Sequence, residues 1–128
     1  MSRLTIAIPT FRRPEDLKRA ISGVLGQAAE QAGGEIVSDV EVLVIDNDAR
    51  GSAREAALAA AAGAAVAVRT SPDEPMEPGG VGVRYVVEER PGVAAVRNRA
   101  LDETAERDLL IFIDDDEEPE PGWLAALV

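Results

Sequence analysis

The sequence predicts an α/β fold in which a mostly parallel sheet is flanked by helices. Short apolar runs of strand length alternate with segments whose apolar residues recur at helical spacing, a pattern typical of parallel sheets covered on both faces. Polar clusters follow most of the predicted strands, at the edge where such sheets bind ligands. The length of 128 residues fits a single domain.

The first strand is predicted over Leu4–Ile8, a short run rich in branched apolar residues that Pro9 closes. A helix is expected from Pro14, because proline is tolerated at the first helical position. Gly33–Gly34 ends this helical segment. Its apolar positions share one helical face and should be buried, namely Leu17, Ala20, Ile21, Val24, Leu25 and Ala28.

The second strand is predicted over Val40–Ile45. Ser52 and Glu55 form a capping-box pattern in front of an alanine-rich helix that ends near Gly63. The run Val66–Val68 that follows is either a short strand or the entry to a loop. The first half of the chain is therefore expected to contain two helices, two clear strands and one uncertain strand.

The second half opens with a Pro- and Gly-rich stretch, Ser71–Gly82, which is predicted to be an exposed loop. A strand over Val83–Val87 and a helix over about Val93–Glu106 follow. The fully apolar run Leu109–Ile113 predicts another buried strand. A last helix begins at Trp123.

The composition excludes several classes of site. The chain contains no cysteine and no histidine, which excludes disulfides, thiolate nucleophiles, Ser-His-Asp triads and His-ligated metal centres. A bound metal must have oxygen ligands, which favours Mg²⁺, Mn²⁺ or Ca²⁺. The net charge of −11 argues against nucleic acid as a partner. No leader peptide or membrane-spanning segment is predicted, so we expect a cytoplasmic location.

The acidic segment from residue 114 to residue 120 carries six carboxylates in seven positions. Residues i and i+2 of extended backbone face the same side, so Asp114 and Asp116 are expected to converge on one ligand. Mg²⁺ and Mn²⁺ commonly take one or two protein carboxylates together with substrate phosphates. A solvated acidic loop is the alternative, and it is the interpretation we adopt for Glu117, Glu118 and Glu120.

Three further polar groups are candidates for ligand contacts. Asp46, Asn47 and Asp48 follow the second strand, where they could bind a nucleoside or simply form an Asx-type turn. Arg97, next to Asn98, could bind a phosphate or lie on a solvated helix face. The stretch from Thr10 to Arg13 could contact a base or phosphate, or serve only as a helix entry. The glycine-rich signatures of Rossmann dehydrogenases and P-loop enzymes are absent.

These segments, taken in order, resemble family 2 glycosyltransferases, which are GT-A-type enzymes that use a nucleotide-sugar. The resemblance runs from Thr5 to Leu127. Each motif alone is weak, but their order at the predicted strand ends is highly specific. The motifs are Ile6–Arg13 with Pro14, Val42–Asn47, Gly92–Asn98, Phe112–Asp116 and Pro121–Leu124.

The resemblance implies that residues 1–128 form the nucleotide-sugar-binding half of a Rossmann-like GT-A domain. Asp46 would contact the base, Arg97 would lie near the nucleotide, and Asp114–Asp116 matches the D-x-D motif. Asp116, with Asp114, would bind Mn²⁺ or Mg²⁺, while Asp115 could share either role. The implied nucleotide-sugar-binding residues are Pro9, Thr10, Phe11, Arg12, Asp46, Asp48, Arg97, Asn98, Asp114 and Asp115.

The implied reaction is a direct displacement with inversion from a UDP-, GDP- or dTDP-sugar to a saccharide or lipid-linked acceptor. Because such acceptors are often lipid-linked, the full protein is expected to work close to a membrane. The family's catalytic base lies after the D-x-D segment, so we expect it beyond Val128 and assign none here. The Ser71–Gly82 stretch is expected to be an insertion, and the Asp-Asn-Asp order at Asp46–Asp48 departs from the family's common double Asp.

Three alternatives stay open at the level of sequence. A nucleotidyltransferase would usually carry a glycine-rich signature after the first strand, where this chain has Pro9–Arg12. A receiver-like binding module would need a lysine near its end, and the only lysine here is Lys18. The third alternative is a half-built site that binds nothing by itself.

Overall fold

A computed structural model describes residues 1–128, and these form one five-stranded sheet with four helices. All strand pairs are parallel, and the strand order is β3-β4-β2-β1-β5. The predicted α/β class with a parallel sheet is therefore confirmed. The elements are β1 Ser2–Thr10, α1 Pro14–Gln31, β2 Val37–Asp46, α2 Arg54–Gly63, β3 Ala67–Arg69, β4 Val81–Val87, α3 Val93–Glu103, β5 Leu109–Phe112 and α4 Trp123–Leu127.

The helices cover the two faces of the sheet unequally. Helices α1, α2 and α4 pack on one face around the main core, which includes Ile6, Val42 and Leu124. Helix α3 alone packs on the other face, where its buried residues Val96 and Ala100 meet a small cluster of sheet residues. None of the four helices is both long and apolar enough to cross a membrane.

Helix α1 forms as its sequence predicts. Pro14 occupies the start of the helix, and Glu15 and Asp16 lie in the first turn, where carboxylates stabilise the positive end of the helix dipole. All six apolar residues of the predicted face are buried. Gln27 on this helix also anchors the C-terminal segment, because its amide donates to the Glu120 carbonyl at 2.7 Å and accepts from the Leu124 N–H at 2.8 Å.

Helix α2 begins differently from the sequence prediction. The capping box of Ser52 and Glu55 is wrong, since the helix starts at Arg54 and Ala53 stands before it without a side-chain cap. The Ala53 N–H instead donates to the carboxylate of Asp46 at 2.9 Å. A carboxylate at the end of β2, outside the predicted capping box, therefore satisfies a backbone donor at the entry to α2.

Strand β5 is less buried than its apolar sequence indicates. It pairs with β1 alone and lies at the edge of the sheet. The strand predicted over Leu109–Ile113 is present as β5, but Leu109 and Phe112 are each 40% exposed, so the expectation that it is buried is wrong. At the other edge, the uncertain run near Val66–Val68 forms the short strand β3. Residues 70–80 form the predicted loop, most of which is exposed.

Buried charges occupy much of the sheet face beneath α3. Glu41 of β2 contacts Arg84 of β4 at 2.9 Å and also pairs with Arg69 of β3. Arg84 continues to the end of α3, where it donates to the Glu103 carbonyl at 2.8 Å. Arg99 donates to the Val87 carbonyl at 2.9 Å. Ion pairs and hydrogen bonds thus supply much of the attachment of α3, which buries only two apolar side chains.

Candidate functional site

One cavity of about 470 Å³ lies where β1, β2, β4 and β5 end. Parallel strands present their carboxyl ends at one edge, so the residues after four strands meet there. The structure thus brings together most of the clusters that the sequence places at strand ends. The lining residues are Pro9, Thr10, Phe11, Arg13, Asn47, Gly92, Val93, Val96, Arg97, Phe112, Asp114, Asp115 and Asp116.

Asp115 joins the end of β1 to the segment after β5. The Thr10 hydroxyl donates to Oδ2 of Asp115 at 2.9 Å. Nη1 of Arg13 lies 3.6 Å from the other carboxylate oxygen. Asp115 is only 7% exposed, so its carboxylate is largely committed to protein partners. This leaves Asp114 and Asp116 as the exposed carboxylates of the triplet.

Asp114 and Asp116 do not lie on extended backbone. The chain turns after β5, and the Glu117 N–H donates to the Asp114 carbonyl at 3.2 Å. The extended backbone predicted for Asp114 to Asp116 is therefore wrong, although Asp114 and Asp116 both line the cavity. The chain contains no group of three or more carboxylates arranged to hold a metal ion by themselves. Two exposed carboxylates fit a Mg²⁺ or Mn²⁺ ion that takes its other ligands from a bound phosphate.

Asp46 lies beneath the cavity and does not line it. Its carboxylate is fully buried and accepts from the Asp48 N–H at 3.0 Å, the Ala53 N–H at 2.9 Å and the Tyr85 hydroxyl at 2.5 Å. Burial, together with this hydrogen bond, raises the pKa of Tyr85. Asp46 therefore stabilises the loop after β2, and its carboxylate is not exposed to contact a nucleobase.

Asp48 and Arg12 contact each other outside the cavity lining. Nε of Arg12 lies 3.3 Å from Oδ2 of Asp48, and the Arg12 guanidinium lies 4.8 Å from the Phe11 ring centroid. Hydrogen bonds from the Ser52 side chain and the Arg50 N–H, with the charge of Arg12, lower the pKa of Asp48. Of this group, only Phe11 lines the cavity.

Asn47 lines the cavity, although among the three candidates after β2 it is the one left out of the implied nucleotide-sugar-binding residues. Its side-chain amide donates to the Glu88 and Arg90 carbonyls, both at 2.8 Å, and accepts from the Gly92 N–H at 3.1 Å. An amide can donate and accept at once, so this one side chain ties the β2 end to the loop before α3. Its position between two acids at a strand end was the available signal.

Helix α3 brings Arg97 to the cavity. Gly92 precedes the helix with a φ of 107°, a conformation that side chains disfavour. The exposed Arg97 lies over the Phe112 ring at 5.8 Å, and both residues line the cavity. Asn98 is exposed and does not line it. Phe112 and Val93, which are not among the candidates predicted from the sequence, add apolar surface to the cavity.

The cavity therefore combines three kinds of surface. Asp114 and Asp116 contribute carboxylates, and Arg13 and Arg97 contribute guanidinium groups. Exposed aromatic surface comes from Phe11 and Phe112. Guanidinium groups recognise phosphates, carboxylates hold hard cations, and aromatic faces accept a planar ring. The arrangement suits an anionic ligand that carries a ring and shares a divalent cation with the protein.

Comparison with known families agrees with this geometry. A search of curated proteins finds no significant match. The family model described as "Glycosyl transferase family 2" matches residues 5–128, which include every strand end that lines the cavity. The function is accordingly of the glycosyltransferase type, and the chain belongs to glycosyl transferase family 2.

Proposed function

We propose that this chain binds the nucleotide-sugar donor of a glycosyl transfer in the cavity at the carboxyl ends of the strands. The observation that carries the proposal is the meeting of exposed Asp114 and Asp116 with Arg97 and two aromatic side chains in one cavity. A nucleoside diphosphate has matching parts, namely a ring, hydroxyl groups and a diphosphate that binds a divalent cation. Family membership favours this function over a receiver-like module or a nucleotidyltransferase.

Each wall of the cavity then has its own part in donor binding. Pro9, Thr10 and Phe11 contact the nucleoside, with the half-exposed Phe11 ring as its apolar platform. Arg97 binds the diphosphate through its guanidinium group. Asp46 acts indirectly by holding the loop that carries Asn47.

Asp114 and Asp116 are the residues that would hold Mn²⁺ or Mg²⁺ in this proposal. Their exposed oxygens leave room for a cation that also meets the diphosphate. When bound, such an ion acts as a Lewis acid that stabilises negative charge on the leaving nucleoside diphosphate. Asp115 supports this pair from below, because Thr10 and Arg13 fix its carboxylate.

The transfer proceeds, in this proposal, with inversion to a hydroxyl of a saccharide or lipid-linked acceptor. A carboxylate general base would take the proton of that hydroxyl. We assign this base to no residue of the chain, whose part is donor binding. A lipid-linked acceptor would bring the full protein to a membrane surface on the cytoplasmic side.

The experiment that tests the proposal is calorimetry of UDP, GDP and dTDP with and without Mn²⁺. We expect at least one of them to bind in the presence of Mn²⁺, and binding to weaken more than tenfold in Asp116→Ala. Glu118→Ala is the matched control, since Glu118 is an exposed acid of the same segment that pairs with Arg19 at 3.6 Å. Absence of binding for all three nucleotides, or equal loss in both variants, would contradict the proposal.

A further inference from the structure

Arg13 is the cation nearest the acidic triplet. It immediately precedes α1 and lines the cavity, and its side chain contacts the segment after β5. Nη1 lies 3.4 Å from Oδ2 of Asp116 and 3.6 Å from Oδ1 of Asp115. The sequence motif contains Arg13, but only the structure shows that it lies against these carboxylates.

The two carboxylates depend on Arg13 to different degrees. Asp115 is buried and has the Thr10 hydroxyl as a second donor at 2.9 Å. Asp116 has a side chain 54% exposed, and Arg13 is its single ion-pair and side-chain hydrogen-bond partner. The Arg13 side chain is itself 54% exposed. Long, exposed ion pairs of this kind are weak, so Arg13 can leave Asp116 at little cost.

We propose that Arg13 is a cation that exchanges partners on donor binding. In the free protein it neutralises Asp116. When a divalent cation binds there, like-charge repulsion drives the guanidinium away from Asp116, and the incoming diphosphate offers it a better partner. Guanidinium groups form forked hydrogen bonds with phosphate oxygens, so Arg13 becomes a ligand of the diphosphate. This inference rests on the proposed function.

The exchange predicts effects of opposite sign for one substitution. Arg13→Gln removes the competing charge near Asp116, so the divalent cation alone should bind more tightly. The same substitution removes a phosphate donor, so the nucleoside diphosphate should bind less tightly. A side chain that only supported the fold would change both affinities in the same direction.

Arg19→Gln is the matched control. Arg19 lies on α1, which Arg13 immediately precedes; it is 57% exposed and pairs with two acids, Asp16 and Glu118, that do not line the cavity. The Arg19→Gln variant therefore loses one positive charge and an exposed ion pair, as the Arg13→Gln variant does. Any effect of total charge on cation binding will appear equally in both variants.

The first measurement is calorimetry of Mn²⁺ alone. We expect Arg13→Gln to bind Mn²⁺ about two- to fivefold more tightly than the Arg19→Gln control, the range that an exposed ion pair supports. Equal or weaker Mn²⁺ binding in Arg13→Gln would overturn the inference. Absence of Mn²⁺ binding by the wild type and both variants would also overturn the inference, since no divalent cation would then displace Arg13 from Asp116.

The second measurement is titration of UDP, GDP or dTDP at saturating Mn²⁺. We expect Arg13→Gln to weaken binding about tenfold and Arg13→Lys to fall between it and the wild type, because lysine keeps the charge without the fork. Unchanged nucleotide affinity in Arg13→Gln would overturn the exchange. Failure of the proposed function would give a different result, namely a wild type that binds no nucleotide. The Mn²⁺ titration would still show whether Arg13 competes with the cation for Asp116.

Discussion

The Tyr85 hydroxyl donates a hydrogen bond of 2.5 Å to Oδ2 of Asp46, joining the middle of β4 to the end of β2 beneath the loop that leads to α2. Gly51 of that loop has a φ of 70°, and a Cβ there would lie 3.2 Å from the Tyr85 oxygen. The phenol therefore closes the underside of the loop. Asp46 acts as the acceptor that organises it, with two backbone N–H groups as its other donors.

Tyr85→Phe removes this hydroxyl and keeps the ring. We expect the free energy of unfolding to fall by about 1–2 kcal/mol, because a hydrogen bond to a buried carboxylate is lost. Urea denaturation followed by the fluorescence of the single tryptophan, Trp123, measures this change. Nucleotide affinity should change by less than Asp116→Ala changes it, since Tyr85 does not line the cavity. An unaltered unfolding free energy would contradict the structural role of Asp46.

The ionisation of Tyr85 gives a second prediction. Its pKa is raised in the folded protein by burial and by the Asp46 carboxylate. Folding therefore favours the neutral phenol. Its contribution to the free energy of unfolding is fully present below the unfolded-state pKa of about 10, and it is lost as the pH rises from there through the folded-state pKa. Tyr85 is the only tyrosine, so an ultraviolet titration reports it directly. A folded-state pKa at or below that of the urea-unfolded chain would contradict the burial.

The sequence predicted the elements of the fold but not the partners of its polar residues. Apolar runs and helical spacing located the four helices and four of the five strands within a few residues, because these patterns act locally. The run that forms β3 was left open as a strand or a loop entry. The hydrogen bonds of Asp46 depend on Tyr85, which is 39 residues away in the sequence, and on the conformation of the loop that leads to Ala53. For that reason the sequence could not predict whether the Asp46 carboxylate, at the end of a strand, faces a ligand or the protein interior.

Asn47→Ala tests the amide that ties β2 to the loop before α3. Three hydrogen bonds to backbone groups of that loop would be lost. We expect faster amide hydrogen exchange at residues 92–97 and an approximately tenfold loss of nucleotide affinity, because Arg97 would be held less firmly. Asn98→Ala, at the exposed asparagine of α3, is the control and should change neither. Equal amide hydrogen-exchange rates in the two variants would contradict the role of Asn47 in holding the loop before α3.

Glu41→Gln tests the buried ion pairs under α3. The substitution removes the charge that faces both Arg84 and Arg69, which are almost fully buried. We expect a loss of about 3–5 kcal/mol in unfolding free energy, because buried guanidinium groups are left without their counter-ion. Asp16→Asn, which breaks the exposed pair with Arg19 and removes a charge from the first turn of α1, should cost no more than about 1 kcal/mol. Similar losses in the two variants would contradict the burial of the Glu41 cluster.

The sequence also did not reveal why α3 holds its position. Its apolar pattern is weak, and only Val96 and Ala100 are buried. Arg84, Glu103 and Arg99 supply the remaining contacts across strand and helix. These charges have no periodic signature, so a sequence pattern alone assigns them to solvent. The carboxylate partners of Arg13 could not be predicted for the same reason, since Asp115 and Asp116 follow β5, about one hundred residues away.

The most direct test of the account is the location of the bound cation in the nucleotide complex. Amide NMR spectra of the protein with the tightest-binding nucleoside diphosphate, recorded with Mg²⁺ and then with trace Mn²⁺, report which residues lie near the paramagnetic ion. We predict strong broadening at residues 10–13, 92–97 and 114–116, with residues 77–80 at the opposite edge of the sheet unaffected. Broadening centred outside the cavity, or none in the presence of nucleotide, would contradict the assignment of the donor site.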